Sequence, residues 1–208
     1  RTTSSRARLH PPTRLSSLPR STRYSHGAAF FGFARHGIVP DMITMGKPMG
    51  NGIPISGLAA KEDVLAAFSD KLPYFNTFGG NPVSIAAAQA VLKYIKDENL
   101  QEHCKKAGAA LLKALKEVQE RHPESVGDVR GAGLFLGFEF VKNDGNKTPD
   151  KDMALNVIEM LRDEHILTSV IGHYGNILKL RPPMVFSEND IDWFATSMDK
   201  CITKLENK

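Results

Sequence analysis

From Asn81 onward, apolar residues recur at helical spacing in four long stretches, and short apolar runs bounded by glycine or proline lie between them. Such an alternation restricts the chain to helices layered on sheet, an α/β or α+β arrangement. Asn81-Pro82 has the cap-and-proline signature of a helix start, and Ile85, Ala88, Val91, Leu92 and Ile95 then fall on one face of a helix reaching about Asn99. Gln101 to Arg121 repeats the pattern through Ala107, Leu111, Leu112, Leu115 and Val118. Thr148-Pro149 is expected to open a third helix through Met153, Val157, Ile158 and Leu161. Ser187-Glu-Asn-Asp190 matches a capping box, followed by Ile191, Phe194, Met198 and Ile202. The strand candidates are 41–45, expected to be buried, 53–59, 134–141 with a glycine-rich entrance at 127–133, and 177–181.

Charge divides the chain. Residues 1–40 hold seven arginines and no lysine, aspartate or glutamate, so the net +4, less these seven, leaves residues 41–208 at −3. A nucleic-acid-binding function therefore has no support in the globular part. Residues 1–26 are rich in arginine, serine and proline and are expected to be disordered; a transit peptide is one reading of them and an end foreign to the domain is another. No apolar run approaches the ~18 residues of a membrane helix. Cys104 and Cys201 lack paired or ligand spacing, which fits a reducing compartment, cytoplasmic or mitochondrial. Seven histidines show no metal-ligand spacing, no metal site is expected, and His103, His122 and His165 read as solvated helix-end residues.

Chemistry concentrates at Lys47, in Thr44-Met-Gly-Lys-Pro-Met-Gly-Asn-Gly52, where an apolar strand gives way to a tight turn. A lysine partly desolvated there would have its neutral amine favoured, as attack on an aldehyde requires; the alternative is an exposed turn lysine. Phe75-Asn-Thr-Phe-Gly-Gly-Asn-Pro82 sets the Thr77 hydroxyl and glycine-freed amides before a helix, a way to bind phosphate and equally good turn chemistry.

These two elements, with Gly127-Asp-Val-Arg-Gly-Ala-Gly-Leu-Phe-Leu-Gly137, resemble class III (fold-type I) aminotransferases in order and spacing over residues 28–206. The resemblance implies pyridoxal phosphate bound as a Schiff base to Lys47, which also moves the substrate proton. It implies that Thr77 binds the cofactor phosphate of the neighbouring subunit in a homodimer, and that the substrate is a small amine or amino acid. It further implies a partial cofactor-binding large domain at 27–100 and a small α+β carboxy-terminal domain at 101–208. Arg130 takes a structural part, pinning its loop.

Two departures from the family matter. Many relatives carry a carboxylate-binding arginine where Asn176-Ile-Leu-Lys-Leu-Arg-Pro-Pro-Met184 places Lys179, with Arg181 two residues on. Lysine is a point charge and not a fork, yet residues two apart on a strand share a face, so Lys179 and Arg181 form either one cationic substrate site or two solvated charges. This variant is similar to a branch of the family, alanine–glyoxylate aminotransferase 2-like, that also contains ethanolamine-phosphate phospho-lyases. Amino transfer is the leading expectation, with phosphate elimination from a phosphorylated amine, or a non-catalytic remnant, as alternatives. The second departure is the lack of the Asp-Glu-hydrophobic-Gln segment that supplies the partner of the pyridine nitrogen. The chain is therefore expected to be the carboxy-terminal half of a roughly twice-longer enzyme, inactive or nearly so alone.

Overall fold

The computed structural model describes residues 29–207; the expected disorder of residues 1–26 lies outside them. After a 3-10 turn at Gly32–His36, β1 (Met42–Met45) pairs antiparallel with β2 (Gly57–Ala60) in a two-stranded ribbon, joined by a second 3-10 turn at Lys47–Gly50. The expected strand at 53–59 is thus shorter and later. Pro54, without an N–H to give a ladder, precedes the paired residues. Nor is β1 buried: its residues alternate between exposed and half-buried, because the ribbon has only one neighbouring strand.

Helix α1 (Glu62–Ser69), not foreseen from periodicity, is followed by α2 (Pro82–Asp97) and α3 (Leu100–Arg121). Asn81 caps α2 by accepting from the Val83 and Ser84 amides at 2.9 and 3.2 Å. Of the five residues expected on its apolar face, Ile95 is buried and Ile85 is exposed.

The second sheet has four antiparallel strands in the order β3 (Val126–Ala132), β4 (Phe135–Phe140), β6 (Ile177–Leu180), β5 (Val170–Ile171). The glycine-rich segment 127–133, expected only as the entrance to a strand, is itself β3. Its glycines serve close approach. Gly131 has φ +147°, and a Cβ there would stand 2.2 Å from the Phe135 carbonyl oxygen. A Cβ on Gly108 of α3 would stand 2.2 Å from the Gly133 carbonyl carbon, so helix and hairpin turn meet backbone to backbone.

Helices α3 and α4 (Lys151–Asp163) pack on one face of this sheet, and α5 (Glu188–Glu206) packs on both of them. Alternation along the strands sends Leu136, Phe138, Phe140, Leu178 and Leu180 into that layer, where they meet Leu111, Leu115, Val157, Leu161, Met198 and Ile202. Helix α4 begins two residues later than Thr148-Pro149 implies, because Pro149 bridges to Val141 and Asp150 takes the cap, accepting from the Met153 amide at 2.9 Å. The capping box before α5 forms as expected between Ser187 and Asp190.

His122 corrects its reading as a solvated helix-end residue. It is 5% exposed, because α5 runs beside the end of α3 and brackets the ring: Nδ1 lies 2.7 Å from Glu206 Oε2 and Nε2 lies 3.1 Å from Asp199 Oδ1. His103 is half-buried with Nε2 3.0 Å from the Phe186 carbonyl, whereas His165 is exposed. Both cysteines are free and buried, and burial pushes the Cys104 thiol up to about 11. Among the described residues no helix is long and apolar enough to cross a membrane, and no His/Cys/Asp/Glu group could hold a metal ion.

Candidate functional site

Lys47 opens the turn that follows β1. Gly46 is extended at φ 174°, and Lys47 itself takes the left-handed region at φ +56°, which lifts its side chain off the ribbon. A lysine in that region is uncommon, and such conformations persist where the surroundings hold them. The expected partial desolvation is not met: Lys47 is exposed. Its amine has no ion-pair partner among the described residues, so it is available to an aldehyde.

The loop before α2 is occupied differently from the sequence expectation. The Asn76 carboxamide oxygen accepts from the amides of Phe78 at 3.1 Å and Gly79 at 3.0 Å, and Asn81 takes the first amides of the helix. Those donors are therefore spent on the turn and the cap, and cannot serve a phosphate without the asparagines moving aside. The Thr77 hydroxyl is exposed and has no partner among the described residues. Helix α2 packs on the Lys47–Gly50 turn, which brings the two motifs into one region of the molecule.

Lys179 and Arg181 lie elsewhere, on and just beyond β6. They line one cavity of about 480 Å³ with His165, Thr168, Ser169 and Trp193, and no carboxylate contributes to its wall. The Arg181 guanidinium carbon sits 5.9 Å from the centre of the Phe135 ring, and its Nε is buried without a hydrogen-bond partner. A buried donor left unsatisfied is costly, and an anion would relieve it. Lys179 has no ion-pair partner among the described residues. Neither Lys47 nor Thr77 is among the residues lining this cavity. His165 reads from the sequence only as a solvated helix-end residue and Trp193 is not singled out there, because nothing in their local spacing marks a shared wall.

Arg130 is exposed but ion-paired. Its Nη1 donates to Glu139 at 2.6 Å and to Asp128 at 2.7 Å, and these carboxylates raise its pKa further above the usual range.

Against known proteins, the sequence profile of aminotransferase class-III matches residues 24–202. The chain belongs to the class-III aminotransferase family. Class-III aminotransferases are pyridoxal-phosphate enzymes that act on small-molecule amines, and the chain shares their mixed helix-and-sheet fold. It is 45% identical over 168 residues to ethanolamine-phosphate phospho-lyase homolog 1 of Caenorhabditis elegans, covering 80% of this chain and 36% of that protein. It is 38% identical over 176 residues to the mitochondrial alanine–glyoxylate aminotransferase 2 homolog 2 of Arabidopsis thaliana, covering 85% of this chain and 36% of that one. Among solved structures, a phospholyase from Arthrobacter in complex with phosphoethanolamine superposes with a TM-score of 0.82 at 36% identity, over 86% of this chain and 42% of that one. The chain thus spans little more than a third of the length of these curated relatives.

Proposed function

We propose that this class-III chain supplies the Schiff-base lysine and the anion-holding strand of a pyridoxal-phosphate enzyme whose substrate is a small phosphorylated amine. The observation that carries this reading is the pair Lys179 and Arg181, two cations on the wall of one cavity with no carboxylate among its lining residues and with the Arg181 Nε unsatisfied. Two cations suit a doubly charged phosphate, where a single forked arginine suits a carboxylate.

The residues present fit the cofactor. Lys47 offers an unpaired exposed amine to hold its aldehyde carbon, and Thr77 offers an unpartnered hydroxyl to its phosphate, in the reading of a homodimer the phosphate of the second copy. When bound, the cofactor withdraws electrons from the substrate carbon that carries the amine. Lys47 Nζ would act as general base, taking the proton from the carbon that carries the amine, next to the carbon whose C–O bond breaks. Lys179 and Arg181 hold the substrate phosphate and neutralise the charge it gains as it departs with the C–O electron pair. In this reading residues 27–100 are part of the cofactor-binding domain and 101–208 the small domain.

Simple amino transfer is the second reading, favoured by the similarity to alanine–glyoxylate aminotransferase 2 proteins. Phosphoethanolamine given to the full-length enzyme separates the two: elimination releases phosphate and ammonia, whereas transfer needs a keto-acid acceptor and leaves the phosphate attached. The lysine assignment is tested by borohydride reduction of the chain with pyridoxal phosphate and mapping of the labelled peptide. Label concentrated on Lys47 and abolished in Lys47→Ala supports it; label spread over surface lysines in both proteins refutes it.

A further inference from the structure

The face of the second sheet turned away from the helices carries two cations on its paired strands, Arg130 and Lys179. Strand register sets them out in order. Arg130 of β3 stands opposite Gly137 of β4, and Gly137 stands opposite Lys179 of β6, so Arg130 and Lys179 flank a residue without a side chain. One step along, Asp128 stands opposite Glu139, and Glu139 opposite Ile177. Glu139 is therefore the diagonal neighbour of Lys179 on the same face, at a Cα separation of about 7–8 Å for such pairs, within the joint reach of a glutamate and a lysine.

That ion pair does not form. Glu139 Oε2 accepts from Arg130 Nη1 at 2.6 Å, and its Oε1 lies 3.4 Å from the Asn176 amide nitrogen. Asn176 is itself buried and fixed, donating to the Phe140 carbonyl at 2.8 Å. Arg130 also holds Asp128, so both carboxylates of this face are bound to one guanidinium. Gly137 contributes no side chain of its own, and Ile177 Cγ2 reaches to 3.3 Å from where its Cβ would stand, so Glu139 is kept from Lys179 by its bonds to Arg130 and Asn176 together with the Ile177 side chain beside it.

From this we infer that Arg130 is a positioning residue for anion binding: by holding Glu139 and Asp128 it keeps Lys179 uncompensated and open to a phosphate. The inference rests on the reading of Lys179 as an anion ligand and adds a cause for its availability. A guanidinium suits the task because its planar fork engages two carboxylates at once, which an ammonium does less well.

The test is titration of the full chain with inorganic phosphate at fixed ionic strength, read by calorimetry and by the Lys179 side-chain NMR signal. Lys179→Gln should weaken binding. Arg130→Gln should weaken it nearly as much, by roughly five- to tenfold, the scale of one charge-assisted hydrogen bond partly screened by solvent. Adding Glu139→Gln to Arg130→Gln should restore the wild-type affinity, a rescue that a purely structural arginine would not show. Arg130→Lys should be intermediate and likewise rescued by Glu139→Gln, and it stands in for Arg130→Gln if that variant loses its far-ultraviolet circular dichroism. If Lys179→Gln weakens binding while the Arg130 variants match wild type, or weaken it without rescue, the positioning role is overturned and the anion site stands. If wild type shows no saturable phosphate binding, or Lys179→Gln changes nothing, the anion site falls and the inference with it.

Discussion

Residues 38–94 and residues 100–206 follow opposite rules. In the latter, two helices pack on one face of a four-stranded sheet and a third packs on both of them, and the core runs without a break from Cys104 to Ile202. In the former, a two-stranded ribbon and two helices leave Val39, Phe75 and Phe78 at 80% exposure or more, with Tyr74 and Val83 close behind. Exposed apolar surface on that scale is a feature of interaction faces. The same region holds Lys47 and Thr77, whereas Lys179 and Arg181 stand on the closed unit. In the proposed reading the lysine chemistry would sit on the less covered region and the anion site on the closed unit.

Four measurements would break or sharpen this contrast. The largest effect should come from Phe138→Ala, which empties a fully buried position and should cost about 3–5 kcal/mol in urea unfolding followed by Trp193 fluorescence. Phe75→Ala, at 84% exposure, should stay within about 0.5 kcal/mol. Comparable costs would show that the two regions do not differ as described. Next, Gly108→Ala should destabilise by about 1–3 kcal/mol, since the added methyl meets the Gly133 backbone, although alanine is the better helix former elsewhere.

Caps come third. Ser187→Ala should lower the unfolding midpoint by about 1 kcal/mol of stability, because α5 belongs to the closed unit. Asn81→Ala should instead speed amide exchange at Val83 and Ser84 and leave that midpoint in place. A global loss from Asn81→Ala would tie α2 into the core. The smallest effect is in acid. Burial pushes the Asp199 carboxyl up, but hydrogen bonds from Arg121 and His122 outweigh it and hold the pKa below the ordinary value. A carboxyl depressed on folding stabilises above its unfolded pKa of about 3.9, and the contribution is lost as pH falls through the folded value. Asp199→Asn should therefore flatten the stability profile below about pH 4; an unchanged acid limb would remove Asp199 from the clasp around His122.

What the sequence disclosed follows from how local each signal is. The capping box at Ser187, the Asn81 cap and the long stripe of α3 depend on residues within a turn or two of one another, and each forms where the pattern puts it. Strand β3 was hidden because Gly127, Gly131 and Gly133 imitate a loop; their reason is close approach, of Val141 to Gly127, of Phe135 to Gly131 across the hairpin, and of Gly108 on α3 to Gly133, which the local pattern does not show. The burial of His122 is likewise set by α5, more than seventy residues later. Family motifs pointed to Lys47 and Thr77, and strand parity put Lys179 and Arg181 together. The cavity they share with His165 and Trp193 exists only after the chain has folded back on itself.

The antiparallel order β3-β4-β6-β5 also bears on the sequence of events during folding. The β3–β4 hairpin and its contact with α3 join residues near one another in the chain, while β6 pairs with β4 only after α4 has been threaded between them. Closing the shorter loop first carries the smaller entropic penalty, so hairpin and α3 form the natural nucleus and β6 arrives late. Lys179 enters with it, and a polypeptide halted before that step would possess Arg130 and its carboxylates but not the lysine of the proposed anion site.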